Sequence, residues 1–173
     1  MSETVRRIYV EKESEFAVEA HGIYLDLKEN LALDGLSGVR VIKRYDVAGL
    51  SDGEYAQARN LIFSEPPVDH AYDESIELPE SCRVFAMEYL PGQYDQRADS
   101  CEECISILTE KERPTVKAAT LIALEGDVSD AEFDRIKKYL INPVEMREAV
   151  LDKPESLRME TTVPDDVAYA DGF

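Results

Sequence analysis

Apolar positions gather in short runs along the first half of the chain, and the same order of runs returns in the second half. Val5-Arg6-Arg7-Ile8-Tyr9-Val10-Glu11 is β-branched and aromatic enough to predict a strand. The spacing then changes. Between about Ala17 and Leu33, Ala20, Ile23, Tyr24, Leu27 and Leu31 fall on one side of a helix, with Asp26, Lys28 and Glu29 opposite. Asp34-Gly35-Leu36-Ser37-Gly38 reads as a turn, and Val39 to Val47 as a second strand. Ser51-Asp52-Gly53-Glu54 has the form of a capping box: the Ser51 hydroxyl accepts from the Glu54 amide, and the Glu54 carboxylate reaches back. The helix it opens is expected to run to about Phe63 and stop before Pro66-Pro67. Residues 64–81 read as a connector, with a short strand around Ser75–Leu78.

The second half follows the same plan. Cys82–Leu90 predicts a strand, Pro91-Gly92 a turn, and Asp95 or Asp99 caps a helix reaching about Thr109. Thr115–Leu124 predicts a strand, and Ser129-Asp130-Ala131-Glu132 a second capping box opening a helix to about Ile141. Pro143 to Val150 reads as a further short helix, because proline suits a first helical turn. Beyond Asp152 an extended tail is expected, with one strand near Met159–Val163, ending as though a longer chain continued. Val5–Glu11 aligns with Cys82–Glu88 at a shift of 77, which also carries Val39–Ile42 onto Val116–Ala119 and Gly49 onto Gly126. One inserted residue later, Ser51–Tyr55 aligns with Ser129–Phe133. The expected fold class is therefore α+β: a tandem pseudo-twofold duplication of a ferredoxin-like β-α-β-α unit. Antiparallel sheets would pack together with helices outside, because neither half could hide its apolar face alone. Residues 1–81 would form the first half plus connector, 82–151 the second half, and 152–173 a tail leading to a downstream domain.

Size and charge narrow the functional classes. A chain of 173 residues can bury about 70% of the surface its unfolded form exposes, so no disulfide or metal staple is required. The net charge of −18, from 19 basic and 37 acidic residues, argues against nucleic acid and against an anionic membrane surface. No apolar run is long enough to span a bilayer and no signal-peptide pattern opens the chain, so the expected location is cytoplasmic. Cys82, Cys101 and Cys104 do not make a secreted disulfide framework.

Candidate chemistry is sparse. No glycine-rich phosphate loop, nucleophile elbow or zincin helix occurs. His21 and His70 are the only histidines and read as structural. Cys101-Glu102-Glu103-Cys104 invites a redox or metal reading, but two glutamates between thiols disfavour the thiolate, and no second ligand pair completes a zinc site. Aligned on Leu27, Cys104 is expected to pack in the core. No metal site and no catalytic residue are assigned. The stronger candidate is the loop carrying Gln93, Tyr94, Asp95, Gln96, Arg97, Asp99 and Ser100, which sets amides, carboxylates and an arginine ahead of a helix. Such a helix start can hold an anion, with Arg97 adding a charge-assisted contact. It reads equally as aspartates that cap and pair on the surface.

Leu90-Pro91-Gly92-Gln93-Tyr94-Asp95-Gln96-Arg97-Ala98-Asp99-Ser100 resembles the N-terminal region of large-type phosphoribosylformylglycinamidine synthases, the purine-biosynthesis amidotransferases. So do Tyr139-Leu140-Ile141-Asn142-Pro143-Val144, Val5–Glu11 and Phe63-Ser64-Glu65-Pro66-Pro67-Val68-Asp69, four stretches in the same order across the chain. In that family the N-terminal domain is similar to two fused copies of a small subunit that other bacteria carry as a separate dimer. The resemblance implies a piece of an ATP-dependent carbon–nitrogen ligase. That enzyme converts formylglycinamide ribonucleotide, glutamine and ATP to the amidine. The ATP and magnesium sites and the glutaminase lie downstream, so this chain would carry no cofactor. Its implied role is to hold the glutaminase against the synthetase, its two partners, and help wall the ammonia path. The Gln93–Ser100 loop would face those partners or lie near substrate. The alternative is a free-standing regulatory module binding a small metabolite between its halves.

Overall fold

The computed structural model describes residues 4–153 and Leu157. Ten principal elements follow the chain: β1 (Val5–Lys12), α1 (Val18–Asn30), β2 (Leu36–Ala48), α2 (Asp52–Ala58), β3 (Asp69–Asp73), β4 (Arg83–Tyr89), α3 (Gln96–Thr109), β5 (Thr115–Gly126), α4 (Asp130–Leu140) and β6 (Met146–Ala149). The class is α+β, with one six-stranded antiparallel sheet in the order β3-β1-β2-β5-β4-β6. Counted within each half, β3-β1-β2 and β6-β4-β5 both run third-first-second from the sheet edge to the central pair. The expectation of separate sheets packed together is corrected here, because the two halves meet edge to edge.

The join is the long pairing of β2 with β5, from Leu36 opposite Gly126 to Ala48 opposite Thr115. Near its middle, Lys43 faces Thr120, the position 77 residues further on. Both strands would otherwise present a long apolar edge to any passing chain. Strand parity places all four helices on one face. Ile8, Val10, Tyr45, Val47, Val116 and Ala118 meet Ala58 and Phe63 from the α2 region and Ala98, Cys101 and Ile105 of α3. Leu36, Phe85, Ile122 and Leu124 meet Leu27 of α1 and Ile136 of α4. Leu27 and Ile105 are fully buried, each contributing about 1.5–3 kcal/mol. The opposite face carries Tyr9, Ile42, Ala86, Leu121 and Ala149, covered by Ile76 and Leu78 of the connector.

Both capping boxes form, with Ser51 accepting from the Glu54 amide and Ser129 from the Glu132 amide. The helix opened by Ser51 is α-helical only to Ala58, and a π-turn over Arg59–Phe63 finishes it. Asp95 caps α3, accepting from Ala98. Two expectations are corrected. The connector strand is β3 at Asp69–Asp73, not Ser75–Leu78, and the segment after Pro143 becomes β6 instead of a helix. Both are edge strands, held by pairing with β1 and β4. The strand expected near Met159–Val163 lies outside the described residues. Among those described, no helix is long and apolar enough to cross a membrane.

Gly49 and Gly126 both take positive φ, +99° and +106°, where the central strands turn toward the two capping boxes. At Gly126 a Cβ would stand 2.3 Å from the Gly35 carbonyl oxygen, so strain adds to overlap. Gly126→Ala should therefore cost about 1–3 kcal/mol in urea unfolding. Gly53→Ala, in a helical site with open space, should gain about 0.4–1 kcal/mol. Equal effects at the two sites would contradict this account of the turn.

Candidate functional site

A cleft of about 680 Å³ opens where β4 parts from β5. The two strands pair from Arg83 opposite Leu124 to Met87 opposite Thr120, after which β4 continues against β6 alone. The turn at Gly92, with φ +91°, then carries the chain away toward α3. On the vacated flank of β5, the Val116 amide donates to the Glu102 carboxylate of α3 at 2.9 Å. A side chain stands in for the missing strand.

Charged groups floor this cleft. Arg7 of β1 and Asp46 of β2 face each other across the sheet and are almost wholly buried, with bidentate contacts of 2.7 and 2.8 Å. Arg7 also donates to the Leu151 and Asp152 carbonyls, fastening the segment after β6 to the sheet. Arg44 lies one row along, buried, with Nη1 on the Val150 carbonyl at 2.8 Å. Burial and the neighbouring Arg7 charge lower its pKa. Across the gap Arg147 of β6 binds Glu88 of β4 at 2.7 Å. Lys117 of β5 stands opposite Asp46.

A second cleft of about 590 Å³ occupies the equivalent place, where β1 leaves β2 after Val10. Glu11, Val39, Arg40 and His70 line it. These stand 77 residues before Glu88, Val116, Lys117 and Arg147 of the first cleft. In this cleft Arg40 is bidentate to Glu11, at 2.8 and 2.5 Å.

The structure divides the loop singled out from the sequence. Gln93 and Asp95 line the larger cleft, with Asp95 committed to the α3 cap. Tyr94 donates to Asp99 at 3.0 Å, and Arg113 pairs with Asp99 at 2.9 Å, on the outer surface. Gln96 and Ser100 are exposed. Arg97 pairs with neither aspartate. It crosses to the helix-bearing face, donating to Thr120 Oγ1 at 3.3 Å and lying over the Tyr45 ring at 5.6 Å. The groups the sequence reading missed are Arg7, Arg44, Asp46 and Lys117. Their signal was charge at inward-facing positions of otherwise apolar strands.

The cysteine expectation is also corrected. Cys101 is the buried thiol and Cys104 is exposed. In α3 the core position matching Leu27 is Ile105, one residue beyond a constant shift. Burial pushes the Cys101 thiol up to about 12, away from nucleophilic chemistry. Among the described residues, no cluster of three or more His, Cys, Asp or Glu could hold a metal ion. The chain matches no known family model and no curated protein.

Two predictions arise from this geometry. Asp46→Ala strands a buried guanidinium and should cost about 3–5 kcal/mol, whereas replacing Arg7 and Asp46 together by Met and Leu should cost much less. Urea denaturation of both variants checks this; a double variant as unstable as the single would contradict it. Iodoacetamide at pH 8 should label Cys104 in the native chain and leave Cys101 unmodified by peptide mass spectrometry.

Proposed function

We propose that this chain is a non-catalytic scaffold domain of a glutamine-dependent ligase of the phosphoribosylformylglycinamidine synthase type. The domain would be built from two fused ferredoxin-like units. It would hold the glutaminase against the synthetase and contribute a wall to the ammonia path. The observation that carries this reading is the palindromic sheet, since fusing two copies of a subunit that pairs through a central strand would produce that order. Four stretches resembling the family, in the same order, support it further. Binding to the partners would draw on exposed apolar side chains such as Leu61, Tyr94 and Ile107. ATP and magnesium would bind downstream.

The regulatory-module reading also has an observation in its favour: both halves contribute to the larger cleft, Arg7 and Arg44 from the first and Lys117 and Arg147 from the second.

The scaffold reading is tested in the full-length ligase. Deleting residues 1–173 should abolish glutamine-dependent amidine formation, and undiminished turnover would refute the role.

A further inference from the structure

We propose that the cleft between β4 and β5 binds the oxyanion group, phosphate or carboxylate, of a small polar metabolite through Arg44 and Lys117. The inference stands on the cleft alone and holds whether the chain acts as a scaffold or as a regulator.

Arg44 is the central observation. Its side chain lies on the cleft floor and the residue is only 4% exposed. A guanidinium carries five N–H donors, yet the one acceptor on Arg44 among the described residues is the Val150 carbonyl. A buried cation is stable when an anion answers it, and of the carboxylates lining the cleft Asp46 and Glu88 are already engaged. Asp46 is held bidentately by Arg7, and Glu88 by Arg147. Lys117, half-buried on the next strand, has no carboxylate within ion-pair distance among the described residues. It faces Asp46 and is therefore diagonal to Arg44, roughly 7–8 Å away in a sheet. That spacing lets a guanidinium fork and an ammonium grip one tetrahedral or planar oxyanion from two sides.

The other half of the chain supplies an internal comparison. The position equivalent to Lys117 is Arg40, and Glu11 neutralises it within the chain. In the larger cleft the equivalent carboxylate, Glu88, turns to Arg147 instead. The cation thereby released, with buried Arg44 beside it, separates the two clefts. The volume, about 680 Å³, exceeds a bare phosphate and suits a metabolite carrying one. The net charge of −18 repels anions generally, so occupancy here must come from local contacts.

Isothermal titration of the full chain with inorganic phosphate and, separately, with acetate tests this at constant ionic strength, with chloride as the reference. One saturable site with a dissociation constant near or below ~1 mM is expected for one of the two. The preferred anion shows which oxyanion the cleft takes. Lys117→Gln and Arg44→Gln should each weaken that binding about tenfold or more, while Lys138→Gln, the same charge change on exposed α4, should leave it unchanged. Lys117→Gln alters a half-exposed side chain and keeps the test decisive if Arg44→Gln does not fold. A response no different from chloride for both anions overturns the proposal. So does binding that Lys117→Gln leaves intact.

Discussion

The pairing of β2 with β5 is the constraint on which the rest of this structure depends. Each half offers only a three-stranded sheet, with short edge strands at the outside and a long apolar strand at the inside. Joining the inner strands satisfies both sets of backbone groups and lets the apolar side chains of each half continue into the other. With the sheet continuous, four helices suffice to cover one face, and the connector serves part of the other. The acidic excess is then spread over the outer surfaces, where it is solvated and opposes self-association.

The same join explains where the clefts lie. Strands β1 and β4 follow their inner neighbours for only part of their length before turning outward into α1 and α3. An opening results at each end of the seam. The two openings differ in charge: Glu11 closes one against Arg40, while Glu88 turns to Arg147 in the other. Burying Arg7, Asp46 and Arg44 is costly relative to an apolar core. The Arg7–Asp46 pair recovers part of that cost and orders the segment after β6 through the Leu151 carbonyl. Arg44 recovers less, and that imbalance distinguishes the larger cleft from ordinary packing.

Arg97 shows how a side chain leaves the neighbourhood its sequence suggests. It sits two residues from Asp95 and from Asp99, yet helical geometry points it inward over Tyr45, a cation–π contact, with Thr120 as an acceptor. Asp99 takes Arg113 from beyond the helix instead. The loop is thereby split between the cleft, the outer surface and the helix-bearing face. Sequence adjacency had joined groups that the fold separates.

Local chemistry was legible in the chain. Both capping boxes, the buried side of α1 and the four long strands follow from hydrogen bonding and apolar period within a few residues, so the sequence by itself determined them. Strands β3 and β6 were not legible. Asp-His-Ala-Tyr-Asp and Met-Arg-Glu-Ala are polar or helix-favouring, and only hydrogen bonds to β1 and β4 make them strands. Cys104, expected in the core, is exposed because one residue of helical phase separates α3 from α1. The edge-to-edge union and the row of charges beneath the larger cleft were decided by tertiary structure alone. Both depend on register between strands far apart in the chain, where one residue of slip would carry every side chain to the opposite face.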